Sequence, residues 1–177
     1  PNRTNFQRTL QDSLDGLTGG YDSLGVALFN ISAFHTFNDA LGHSIGDAIL
    51  MNVAAIIKDN AGSATMVARV GGDEFAAIIP DNGTGTQTEA TIARVQSAFY
   101  QPVMILDYEL HLSLSAGATI MPRDSRNVSD ALRHVDLAGN AAKKLGPGRA
   151  MFFTPDMDDV VKRETELTQA LRSAIGN

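Results

Sequence analysis

The chain predicts an α+β (α/β) domain, a mostly antiparallel central sheet covered by helices, and three observations carry that prediction. Strand-like and helix-like segments are interleaved along the chain. Residues 65–70 and 75–79 are apolar runs on either side of Gly71-Gly72, which would fold them into a hairpin. Residues 109–118 alternate strictly, with Leu110, Leu112, Leu114, Ala116 and Ala118 on one side and His111, Ser113 and Ser115 on the other. Hairpins make neighbouring strands antiparallel, and strict alternation describes a strand with one face in the core. The interleaved helices then have a sheet face to cover.

The elements follow in order. Asn2 can cap a first helix to about residue 15, in which Phe6, Leu10 and Leu14 recur at i, i+4 and which Gly16, Gly19 and Gly20 end. Residues 24–31 read as a buried strand and residues 33–41 as a short helix stopped at Gly42. Residues 44–58 place Ile45, Ile49, Val53 and Ile56 on one helical face. After the hairpin come a loose loop at 81–85 and a helix at 89–100, closed by Pro102. The alternating strand 109–118, a helix at 128–145, a short strand at 150–153 and a final helix from residue 156 complete the order.

A length of 177 residues suits one domain with a sizeable core. There is no cysteine, which excludes disulfides and thiolate metal sites and suits a reducing compartment, the cytoplasm. No apolar run approaches the roughly 20 residues of a membrane span, so no direct membrane contact is expected; an anchor of the parent protein would lie outside this sequence. A net charge of −6 argues against a broad nucleic-acid or anionic-membrane surface, so nucleic acid is not expected as a partner.

The run Arg69-Val70-Gly71-Gly72-Asp73-Glu74-Phe75-Ala76-Ala77-Ile78-Ile79 sets consecutive carboxylates beside the glycine turn. Paired glycines tolerate the positive φ of a tight hairpin. Successive strand residues point to opposite faces, so one carboxylate could bind a cation while the other approaches a substrate. An acidic hairpin tip is also a common solvated turn. Letter for letter, the run resembles the signature of the GGDEF family, diguanylate cyclase domains that condense two GTP into cyclic di-GMP. The similarity continues in order from Pro1-Asn2-Arg3-Thr4-Asn5-Phe6 to Lys143-Lys144-Leu145-Gly146. It implies a ferredoxin-like nucleotidyl-cyclase palm over residues 1–154, GTP as ligand and magnesium as cofactor. It also implies Gly71 and Gly72 beside the substrate, Asp73 as a magnesium ligand, and Glu74 as a ligand or the base for the attacking 3′-hydroxyl. A homodimer would be required for synthesis, since one protomer holds one GTP.

Where the family has Asp-x-Asp-x-Phe-Lys, this chain has Asn30-Ile31-Ser32-Ala33-Phe34-His35. The resemblance puts Asn30 and Ile31 at the metal and Phe34 and His35 at the nucleotide. Asn30 can offer an amide oxygen but no negative charge, and two cations held close together need anionic ligands to offset their repulsion. Magnesium should therefore be held weakly. By itself, Asn30 reads as a turn residue at a strand end. Phe37-Asn38-Asp39-Ala40-Leu41-Gly42-His43-Ser44-Ile45-Gly46-Asp47 resembles the family's Asn-Asp-x-x-Gly-His-x-x-Gly-Asp run, whose first Asn and last Asp read guanine. A carboxylate accepts from guanine N1–H and N2–H₂ together, while an amide both donates and accepts, so Asn38 and Asp47 can select guanine over adenine. The other reading is that both only bound or cap helices.

Lys143 falls at the family's phosphate-binding Lys, but Pro147 stands where an Arg would follow, so that donor fork is lost unless Arg149 swings in. Gly139 and Asn140 replace an apolar-aromatic pair and should loosen their helix. Lys144 reads as a solvated complement to the helix dipole. Gly62 and Thr65 stand at the Arg-x-x-Asp product-inhibition site, so cyclic di-GMP feedback is not expected there. Residues 155–177 read as an amphipathic connector helix, with Val160, Leu167, Leu171 and Ala174 in a heptad-like stripe. Its wording resembles the connector that leads into an EAL phosphodiesterase domain in tandem GGDEF–EAL proteins, which makes an EAL domain of the same parent chain the expected partner. The other reading is a helix packed on its own domain. A GTP-binding regulatory module and a slow cyclase both remain open, and a ferredoxin-like small-ligand sensor is the rival outside the family.

Overall fold

The computed structural model describes residues 2–17, 22–63 and 65–175. α1 (Arg3–Asp15) starts where Asn2 accepts from the Asn5 backbone N–H at 2.9 Å, and it buries Phe6 and Leu10. Gly16 is its C-cap; Gly19 and Gly20 lie outside the described residues. β1 (Ser23–Ile31) is buried along its whole length. α2 (Phe34–Leu41) and α3 (His43–Ala61) follow, then β2 (Met66–Arg69), β3 (Glu74–Asp81) and α4 (Thr86–Ser97). β4 (Val103–Ile105) and β5 (Tyr108–Leu110) form a separate hairpin. β6 (Leu114–Met121), α5 (Val128–Lys144), β7 (Ala150–Phe152) and α6 (Pro155–Ile175) complete the order.

The main sheet runs β2-β3-β1-β6-β7. Every pairing is antiparallel except β6 with β7. β3 lies between β1 and β2, which α2 and α3 connect, the split arrangement of ferredoxin-like folds. Alternation along β1 divides the core. Ala27, Phe29 and Ile31 pack with Ile49, Val53, Ile57 and Val95 on the α3/α4 face. Val26 and Leu28 pack with Phe6, Leu10 and Val135 on the α1/α5 face. Each face removes large apolar side chains from water, the dominant favourable term in folding.

Six expectations need correction. The alternating run 109–118 is not one strand, because β5 ends at Leu110 and β6 starts at Leu114, so residues 111–113 carry the chain from the small hairpin to the main sheet. β6 is not half-buried either, since α5 covers its other face and leaves Ser115 only 3% exposed. On α3 the deeply buried set includes Leu50 and Ile57, whereas Ile45 and Ile56 only flank the core. The loop after β3 is not loose. Asp81 is fully buried and accepts from the backbone N–H groups of Gly83, Gly85 and Thr88 and from the Thr88 hydroxyl. Burial alone would raise its pKa, but the Thr88 and backbone hydrogen bonds outweigh that and hold it below the usual value. This knot also starts α4 at Thr86, a turn earlier than residue 89. Finally, neither Gly71 nor Gly72 adopts a positive φ. Val70 N–H bonds the Glu74 carbonyl, which leaves Gly71, Gly72 and Asp73 as a wider loop that needs no mirror-image turn.

α5 runs unbroken through Gly139. Its backbone presses on β6 there: a Cβ on Gly117 would stand 2.2 Å from Gly139 N and 2.3 Å from Val135 O.

Candidate functional site

A cleft of about 430 Å³ opens where β1 ends, lined by Asn30, Ile31, Ser32, Ala33, Phe34, His35, Asp73, Ser115, Lys143, Gly146 and Pro147. Each wall has a local cause. The β1–β3 register sets Asn30 opposite Glu74, and the β1–β6 register sets it opposite Ser115. Ile31 N–H donates to the Asp73 carbonyl at 3.2 Å and Ser32 N–H to the Ser113 carbonyl at 2.9 Å, which pins the strand end to both neighbours. Ala33 then turns the chain with φ 53°, so that Phe34 and His35 open α2 against the cleft. Lys143 comes from the last turn of α5.

The cleft thus gathers Asn30, Ile31, Phe34, His35, Asp73 and Lys143. Glu74 is joined to it indirectly: the Asn30 Nδ2 amide donates to Glu74 Oε1 at 3.1 Å, with Asn30 only 4% exposed. Glu74 itself faces a small hollow on the α1/α5 side that Arg3 and Asp136 also line. Burial of the Asp136 carboxyl at that lip and the Glu74 charge raise its pKa, against the pull of Arg3 and Lys143. A Cβ on Gly71 would stand 2.7 Å from Glu74 Oε2, so a side chain there would displace the Glu74 carboxylate. Arg69 donates to the Gly71 and Gly72 carbonyls and clasps the turn.

Asn38 and Asp47 sit outside this lining, at the corner between α2 and α3. The corner is Gly42, at once the C-cap of α2 and the N-cap of α3, with φ 85°. No acidic residue falls in the first turn of α3, so Asp47 is not a cap. Arg149 does not line the cleft; its carbonyl accepts from Ala116 N–H. Lys144 stands 3.8 Å from Glu164 of α6. Sequence reasoning did not single out Ser115, Arg69 or Asp136 for the site. Arg69 lies inside the signature run and could have been found there, whereas Ser115 and Asp136 carried no signal of their own.

Among the described residues, no group of three or more His, Asp or Glu side chains converges as a metal site. Asp73 lines the cleft, while Glu74 is engaged by the Asn30 amide.

A ferredoxin-like sheet whose central strand and neighbouring hairpin end at a polar cleft defines the class: a nucleotidyl-cyclase palm. Residues 1–149 match the family described as "Diguanylate cyclase, GGDEF domain". The chain belongs to the GGDEF family and is a domain of cyclic di-GMP signalling. It is 31% identical over 100% of its length to the cyclic di-GMP phosphodiesterase PdeR of Escherichia coli, of which it spans 26%. It is 28% identical to the bifunctional diguanylate cyclase/cyclic di-GMP phosphodiesterase MucR of Pseudomonas aeruginosa, covering 99% of this chain and 25% of that protein. Among solved structures, the GGDEF domain of TpbB (YfiN) from Pseudomonas aeruginosa superposes with TM-score 0.85 at 26% identity, over 92% of this chain and 95% of that one. The chain thus spans about a quarter of these curated relatives.

Proposed function

We propose that this domain binds GTP as a regulatory module and acts on an EAL phosphodiesterase domain of the same parent chain, with little cyclase activity of its own. The observation that carries this reading is the Asn30–Glu74 hydrogen bond at 3.1 Å. A carboxylate in place of the amide would face Glu74 at that distance, and a cation or a shared proton would be needed to reconcile the two. The amide satisfies Glu74 without one, so the site closes on itself and loses the charge that would hold a second metal. Pro147 lines the cleft where a guanidinium would meet phosphate, and His35 lines it where a lysine would. These changes remove transition-state charge stabilisation, and one such donor is often worth about a hundredfold or more in rate. The names of PdeR and MucR support a phosphodiesterase neighbour.

The alternative, an active diguanylate cyclase working as a homodimer with magnesium, is favoured by one observation: Asp73 and Lys143 both line the cleft. GTP binding and cyclic di-GMP formation, each measured with and without magnesium, separate the two. GTP binding with little dependence on magnesium and little or no product is expected. Robust product formation by this chain would overturn the regulatory reading and establish the cyclase.

A further inference from the structure

Gly46 is buried on the second turn of α3, and the space where its side chain would be is already taken. A Cβ built there would stand 1.8 Å from Asn38 Oδ1, 2.9 Å from Cγ and 3.5 Å from Nδ2. The Asn38 amide therefore points its oxygen into the space over the bare Cα of Gly46, with its amino group farther out. The backbone fixes this contact from both sides, with Gly42 N–H donating to the Asn38 carbonyl at 2.9 Å and Gly46 N–H to the Gly42 carbonyl at 3.1 Å. Gly42 makes the corner possible with φ 85°, and the next residue after Gly46 is Asp47.

We infer that Gly46 is a positioning residue for base recognition: by having no side chain it seats the Asn38 amide beside Asp47, with the Nδ2 donor facing a purine acceptor. The inference rests on the reading of Asn38 and Asp47 as the guanine contacts. A methyl at position 46 cannot coexist with the seated amide, so Asn38 must swing to another rotamer and its donor leaves the base. Asp47 is exposed and stays free to meet a base.

The test measures affinity for GTP, ATP and inorganic tripolyphosphate, and the thermal midpoint, for the parent chain, Asn38→Ala, Gly46→Ala and the double variant. Gly46→Ala should weaken GTP about fivefold, as Asn38→Ala does, the size of one lost hydrogen bond. It should leave tripolyphosphate affinity unchanged, because only the base contact moves. The double variant should bind GTP no worse than either single one. Gly46→Ala alone should melt lower than the parent, and removing the Asn38 side chain should restore the midpoint. Parental GTP affinity in Gly46→Ala, multiplying losses in the double variant, or a parallel fall in tripolyphosphate affinity would each overturn the inference. If Gly46→Ala alone does not fold, recovery of folding in the double variant supports the contact and failure to recover overturns it. Equal binding of GTP and ATP by the parent chain would instead refute the base reading on which the inference rests.

Discussion

At the end of β1, a single side-chain hydrogen bond joins the strand to the signature. The Asn30 amide nitrogen donates to Glu74 at 3.1 Å where a carboxylate oxygen would repel it. Asn30→Asp should therefore do two things. Without magnesium it buries an uncompensated carboxylate pair, and the thermal midpoint should drop by the equivalent of about 2 kcal/mol. With magnesium the loss should be recovered and GTP should bind more tightly than to the parent; an unchanged apparent magnesium affinity would contradict the account of the cleft. Asp47 offers a separate test, because it is exposed and lies outside the cleft lining. Asp47→Ala should remove most of the preference for GTP over ATP, about 1.5–3 kcal/mol for a charge-assisted contact, readable by competition binding. The identity of these residues was legible in the motif runs. That Asn30 and Glu74 are bonded was not, since they are 44 positions apart and meet only through strand register.

At the scale of elements, α5 does the most to shape the molecule, and glycine is how it comes close. A Cβ on Gly117 would enter the α5 backbone, so Gly117→Ala should cost about 3 kcal/mol in denaturant unfolding. A Cβ on Gly139 would meet Gly117 only at 3.9 and 4.0 Å, which is ordinary contact. Gly139→Ala should therefore gain up to about 1 kcal/mol, the helix-propensity difference, in the same measurement. The sequence reading of Gly139 as a loosened helix saw the propensity but not the packing.

The root of α6 is a second such joint. The His134 ring stacks on Phe153 at 3.6 Å and bonds the Ser125 hydroxyl through Nδ1 at 2.6 Å. Asp158 of α6 pairs with Arg133 and lies 3.9 Å from His134 Nε2. Burial, then the Arg133 charge, lower the His134 pKa below its usual 6.5 against the pull of Asp158, Asp130 and Asp124. As pH falls below that value the unfolded chain takes up the proton first. Stability is thus full above about pH 6.5 and declines through the window beneath it. Thermal melts from pH 7.5 to 5 should show that decline in the parent and a smaller one in His134→Gln.

Across the whole molecule, α6 stands apart. Its residues beyond Asp158 are exposed, including Val160 at 47%, Leu167 at 63% and Leu171 at 55%. The part of the stripe beyond Glu164, with Leu167 and Leu171, lies mostly in water and adds little to this domain's core. Deleting residues 160–177 should therefore change unfolding stability by less than about 1 kcal/mol and leave GTP affinity intact. A large loss of either would show that α6 belongs to the domain rather than serving as a connector. No helix among the described residues is long and apolar enough to cross a membrane.

By itself the sequence determined the order and type of most elements, because caps, turn residues and periodicity act over a few positions, while the ferredoxin-like class and the signature residues came through the resemblance of its motif runs to a family. Only the tertiary structure decided that β6 is buried on both faces, that the alternating run breaks at residues 111–113, and that Asp81 knots the loop after β3. Only it decided that Glu74 answers to Asn30 instead of opening into the cleft. The physical reason is common to all of these. Local pattern records what a segment prefers, whereas burial and hydrogen-bond partners depend on distant segments such as α5, which no local window contains.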